Sequence, residues 1–167
     1  MDDKKLLIER ITGRAYGGLV FMRRCLEVIH TKGTDAAFSR QIYILLSYNF
    51  ELILKSAIIL FRKEKNKDDL IKGLNYHDLE KLSREISVNN LNSVDIKTIK
   101  KINNNFISYE IETIRGDKIN IQDIIDVRYD FEKDALRDID PEESEKIKKE
   151  IEIMEEIIKK IKDIVQK

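Results

Sequence analysis

Chemistry in this chain has few places to reside, because it holds only 2 His and 1 Cys. The stretch RRCLEVIH, residues 23–30, places Arg23 and Arg24 ahead of His30, the minimal outline of one kind of ribonuclease site. On a helix, Arg24 and His30 lie about 120° apart and do not converge on one substrate. Arg23 and His30 are nearly aligned but about 10 Å apart along the axis, a distance a long arginine spans. The plainer reading is an arginine face on the surface and a histidine favouring the negative C-terminal end of its helix.

The second histidine stands in NYHDLEKL. His77 and Asp78 have the types of a hydrogen-bonded acid–base pair. No serine or cysteine nucleophile is linked to them by spacing. Two distant histidines without a carboxylate cluster also make no metal site, so neither a metal nor a cofactor is expected. The plainer reading is that Asp78 caps a short helix and His77 packs against the central one. Glu51 and Lys55 are four residues apart in the attractive order, with Tyr48 and Asn49 nearby. Their apolar surroundings predict a partly buried ion pair that contacts other helices and fixes helix register. In DVRYDFEKD, Arg128 is flanked by Asp126, Asp130, Glu132 and Asp134, which would hold its guanidinium. Tyr129 and Phe131 pack elsewhere. Such an acidic neighbourhood is a poor phosphate cradle and reads as a structural knot or a subunit contact.

Long helices must position these residues. With 1 Pro and 6 Gly in 167 residues, breakers are scarce, and the length suits one domain over residues 1–167. Lys plus Arg and Asp plus Glu are 31 each, and a zero balance argues against nucleic-acid binding by the whole surface. Cys25 sits in an apolar helical pattern and is expected to be a buried, inert thiol. The start, MDDKKLLIER, is acidic and lacks a secretory core, which makes the cytoplasm the expected compartment. Residues 41–61 are long enough to cross a membrane, but Asn49, Glu51 and Lys55 near their middle favour a buried central helix instead.

The hydrophobic periods predict a first helix over about residues 4–31, interrupted or opened to close approach at Gly13, Gly17 and Gly18. Gly33 stops it, and Thr34 or Asp35 caps a second helix running to about Lys65. The charged KEKNKDD reads as a helix end and loop. A short helix follows over about His77–Ser87, with Asn75 and Asp78 spaced as a capping box, and another over about Asp95–Ile107. Residues 109–122 alternate around Gly116-Asp117 and suit a small β-hairpin, with helix as the alternative. Asp140 and Pro141 open a last helix to about residue 166. Its Ile147, Ile151, Met154, Ile158, Ile161 and Val165 form one stripe, widened by Ile153, Ile157 and Ile164. The plainer reading is a helix packed on the domain core; the alternative is that the width also serves a second packing partner, and hence a symmetric homodimer.

Three pieces in one order, YNFELILKSAIILF, YHDLEKL and VRYDF, resemble the HEPN domain group, small all-helical proteins of bacteria and archaea. The matching residues are Glu51, Lys55, His77, Asp78, Leu79, Arg128 and Tyr129, within about residues 35–131. The resemblance implies an antiparallel all-α bundle of about five to six helices, often a homodimer. It also implies a link to toxin–antitoxin or defence systems, an antitoxin as candidate protein partner, and in many members metal-independent RNA cleavage. Those ribonucleases carry an Arg four to six residues before a His in a late helix. Here Arg128 is followed by YDFEKD, and the outline occurs only at Arg23, Arg24 and His30 in the first helix. The leading expectation is therefore a non-catalytic HEPN-like interaction module, with a nucleotide or RNA as candidate ligand; a separate reading is a nucleotide-binding protein using Lys55 and Arg128 in a basic pocket. The alternative is a ribonuclease using Arg23 or Arg24 with His30.

Overall fold

The computed structural model describes residues 3–32, 36–75, 77–88, 109–113, 115–121, 136 and 138–166, and the side chains among these except at 30–32, 36–38, 87 and 88. The expected helix over 95–107, the stop and caps at 33–35, and Arg128 and Tyr129 with their acidic neighbours lie outside the described residues. What is described is mostly helical, with one two-stranded antiparallel hairpin.

Helix α1 spans Asp3–Lys32. Its buried Ile8, Thr12, Ala15, Leu19, Met22, Leu26 and Ile29 recur at alternating spacings of four and three, one face of a helix. Cys25 is buried beside this face, and burial raises its thiol pKa, as an inert core residue requires. The three glycines of α1 differ. A Cβ on Gly18 would come within 2.6 Å of the Asn49 amide, so this glycine sets how closely α1 approaches its neighbour. A Cβ on Gly13 or Gly17 would meet nothing within 4 Å. Both are exposed in a helix interior, where glycine costs about 1 kcal/mol relative to alanine. Gly17→Ala is therefore expected to raise stability by up to about 1 kcal/mol. A urea midpoint that falls below wild type would show that Gly17 has a packing duty inside the chain.

Helix α2, Ala36–Phe61, packs against α1 and is buried on most sides. Ile42, Leu46, Phe50, Ile53, Leu54 and Ile58 are all within its core face or its flanks. Only three residues separate α1 from α2, so the pair forms an antiparallel helical hairpin. Among the described residues, Ser39–Phe61 is the one segment long and apolar enough to cross a membrane, with a mean hydropathy of 1.7. Since 67% of its apolar window is buried inside the chain, neighbouring helices already account for that composition.

The helix ends at Phe61, four residues before the expected end at Lys65. The charged run that follows is also not all loop. It contains helix α3, Lys67–Ile71, whose Asn66 cap accepts the Asp69 backbone N–H. A type II turn closes it: Lys72 lies at φ −56°, ψ 127°, Gly73 at φ +75°, and the Leu74 N–H donates to the Ile71 carbonyl at 3.0 Å. Arg62 explains why the chain folds back here. Its Nη1 donates to the carbonyls of Leu70 at 2.7 Å and Lys72 at 2.8 Å, and its Nη2 to Glu85 at 2.7 Å. A helix of five residues is too short to leave a periodic signal, which is why the run read as solvated.

Helix α4, Leu79–Val88, packs on α2. It begins two residues later than expected, and the Asn75 capping box does not form. Asp78 is itself the cap: its carboxylate accepts the Lys81 N–H at 2.8 Å and its carbonyl the Leu82 N–H at 3.1 Å. The hairpin lies where alternation placed it. Strands β1, Glu110–Glu112, and β2, Lys118–Asn120, pair with Ile111 opposite Ile119. Gly116, at φ +86°, completes the turn: the Gly116 N–H donates to the Thr113 carbonyl and the Thr113 N–H to the Asp117 carbonyl.

Helix α5, Pro141–Val165, starts as expected, with the Asp140 carboxylate accepting the Glu143 N–H at 2.8 Å. Its stripe from Ile147 to Ile161 is buried against α1 and α2, and Ile157 with it. Of the three residues that widen the stripe, Ile157 is core of the same chain, while Ile153 and Ile164 remain half-buried.

Candidate functional site

Glu51 projects from α2 into a place it could not occupy alone. It is 2% exposed, and an unpaired carboxylate there would carry a large desolvation cost. Both of its oxygens are engaged. Lys55, one turn on, donates from Nζ to Oε1 at 2.8 Å, and His77 Nδ1 lies 2.9 Å from Oε2. The i, i+4 spacing on a continuous helix delivers Lys55. His77 arrives from a distant part of the chain, on the connection that enters α4. The Asp78 cap fixes where that helix begins, and so holds the preceding residue over α2. Four of the seven residues behind the HEPN resemblance therefore meet at one joint: Glu51, Lys55, His77 and Asp78. Leu79, the fifth, is wholly buried beneath it.

The three partners differ in exposure. The Glu51 side chain is 3% exposed, Lys55 13% and His77 56%. If Nδ1 carries the proton, it donates to the carboxylate and leaves Nε2 outward as a base, the usual arrangement of a carboxylate-oriented imidazole. Among the described residues, no group partners Nε2, and the cavities at Glu9–Lys162, Glu112–Lys149 and Arg62–Glu85 all lie elsewhere. Lys55 spends its charge on Glu51, which makes it a poor phosphate ligand.

The arginines of α1 do not form a site with each other. Arg23 Nη2 donates to Glu155 of α5 at 2.8 Å, a helix-to-helix tie. Arg24 is exposed on the outer face. The His30 side chain is outside the described ones, as are Arg128 and Tyr129. Among the described residues, no group of three or more His, Cys, Asp and Glu side chains could hold a metal ion.

Two polar centres escaped the sequence. Asn49 is fully buried on α2, facing Gly18, with Nδ2 donating to the Leu45 carbonyl at 2.8 Å and lying 3.4 Å from Met22 Sδ. A polar residue in an apolar run was visible, but not which helix it meets. The second centre ties the hairpin to the start of α5. The Tyr109 hydroxyl donates to Glu143 Oε1 at 2.8 Å, and Lys146 Nζ stands 4.0 Å over the Tyr109 ring. Burial first, then the Glu143 carboxylate, push the Tyr43 and Tyr109 phenols well above their ordinary range, so both stay neutral donors. Burial also raises the Glu150 carboxyl, an effect Lys146 partly offsets. In the sequence Glu143 is only an acidic residue in a first helical turn, where it suits the positive end of the helix. A carboxylate serving a tyrosine 34 residues away has no local signature.

Compared with protein-family models, curated proteins and solved structures, the chain matches none.

Proposed function

We propose that this chain is a non-catalytic, HEPN-like interaction module. The observation that carries this reading is the closed state of its polar centre. The Glu51 carboxylate is satisfied on both oxygens by Lys55 and His77, which joins α2 to the start of α4. A charged group buried and paired in this way fixes one helix against another and is not available to a substrate. The resemblance supplies the rest of the proposal: a link to toxin–antitoxin or defence systems and a homodimeric state, in the cytoplasm. The expected activity is none: pure protein leaves RNA intact with or without metal. Cleavage abolished by His30→Ala, and retained by a surface control such as Lys159→Ala, would restore the ribonuclease reading with Arg23 or Arg24. The dimer is checked by light scattering at micromolar concentration. A mass about twice 19.7 kDa is expected. A mass that stays at 19.7 kDa as concentration rises removes it.

One observation favours a second reading. His77 is more than half exposed while its Nδ1 rests on a buried carboxylate, the setting of a general base. In that case cleavage would be lost in His77→Ala and Glu51→Gln but unaffected by His30→Ala.

A further inference from the structure

Among the described residues two carboxylates are buried, Glu51 and Glu150. Glu51 is satisfied on both oxygens. Glu150 is 9% exposed, and its Oε2 is shut off from solvent with no hydrogen-bond partner among the described residues. An ionised carboxylate is costly there, since nothing replaces the water it lost. Burial raises the Glu150 pKa, and Lys146, one turn back on α5, partly offsets the rise.

Lys146 is turned the other way. Its Nζ stands 4.0 Å over the Tyr109 ring, donates to the Glu110 carbonyl at 3.3 Å, and lies 3.6 Å from the Glu143 carboxylate. The first two contacts tie the hairpin to the start of α5. The i, i+4 spacing puts the Glu150 carboxylate within reach of the same ammonium. One cation thus has two alternative sets of partners, the hairpin on one side and a buried carboxylate on the other.

Other described groups do not compete for Glu150. From α2 the neutral Tyr43 faces this side of α5, and Ser47 follows one turn on, its Oγ also buried and unpartnered. The charged pair on α2, Glu51 with Lys55, is joined to His77 at the start of α4 instead. From the hairpin comes Tyr109, which donates to Glu143, while Glu110 pairs with Lys118 in solvent. Helix α1 meets α5 through Glu155 and Lys162, which lie about 120–140° round the helix from Glu150.

We propose that Glu150 is a proton-controlled latch on the β-hairpin: protonated, it leaves Lys146 clamped on Tyr109 and Glu110, and ionised, it draws Lys146 away and loosens the hairpin. The sign follows from burial. The folded chain holds the Glu150 proton more tightly than the unfolded chain does. The clamp is therefore complete in acid and is lost as pH rises through a value above the ordinary glutamate range. This device goes beyond the reading as an interaction module and uses none of the residues of the Glu51 centre, so the two fail separately.

The test follows the full chain by NMR from about pH 4 to about pH 9. The Lys146 Hε protons, lying over an aromatic face, start upfield. They are expected to move downfield with the same midpoint as the Glu150 carboxyl carbon, which titrates above the other glutamates. Protection factors of the Thr113 and Ile121 amides, both bonded within the hairpin, should fall about two- to fivefold over that range. In Glu150→Gln the Lys146 signals should stay upfield and the protection flat. In Lys146→Met the Glu150 titration should move higher still, with hairpin protection low at every pH. Titration of Glu150 together with the other glutamates overturns the proposal, as do Lys146 signals that stay still while Glu150 titrates. The same movement in Glu150→Gln would assign the effect to Glu143 and overturn it as well.

Discussion

Glu51→Ala is expected to lower stability by about 3–5 kcal/mol, because it leaves Lys55 without its anion in an apolar interior. That is a large part of the roughly 5–15 kcal/mol that holds a domain folded. The partners should differ by exposure. Lys55, with a side chain 13% exposed, is in the same class as Glu51. His77, 56% exposed, is held mostly in solvent, and His77→Ala should cost under about 1 kcal/mol. Replacing the pair together, Glu51→Leu with Lys55→Leu, should recover most of the loss, since no buried charge is then left unpaired. Urea midpoints at constant slope report all four variants. A Glu51→Ala midpoint near wild type would mean that the carboxylate is not held inside at all.

Gly18→Ala is expected to destabilise by about 1–3 kcal/mol, the range for an overpacked interior. The added Cβ would lie 2.6 Å from both Asn49 amide atoms, far inside contact distance. Asn49 is completely buried and already bound to the Leu45 carbonyl at 2.8 Å, so turning the amide aside breaks that bond. The other relief is to part α1 from α2, the pairing at the centre of the core. Adding Asn49→Ala to Gly18→Ala should return part of the loss, which a double-mutant cycle reads directly. The neighbouring Gly17→Ala should move the midpoint the other way. If the two alanine variants shift in the same direction, the close approach at Gly18 is not what limits the packing.

The different surroundings of two adjacent glycines, open space at Gly17 and the Asn49 amide at Gly18, show what kind of information the sequence carries. Three glycines in a helical run were legible as either a weakness or a close approach, and the letters do not choose between them. The choice depends on how α1 is rotated toward α2, which is a property of the packed pair. The same division runs through the molecule. The extents of α1 and α5, the alternation around Ile111 and Ile119, and the Asp140-Pro141 start rest on hydrogen bonds and side-chain periods that close within a few residues, so the sequence by itself determined them. The i, i+4 partner of Glu51 was legible for the same reason. Its burial followed from the apolar run around it.

Only the tertiary structure decided the rest. His77 reaches Glu51 across 26 residues, Arg23 reaches Glu155 across 132, and Tyr109 reaches Glu143 across 34. Each pairing depends on where two elements dock, and no spacing rule covers it. The misplaced end of α2 has the same origin: Arg62 turns to the carbonyls of Leu70 and Lys72, a partner that exists only once α3 has folded against it. The widened stripe of α5 is the last case. Ile157 looked like surface to spare for a second chain, and α1 and α2 cover it. How much apolar area a helix buries in its own chain is set by how many neighbours surround it, and that number is fixed only when the bundle closes.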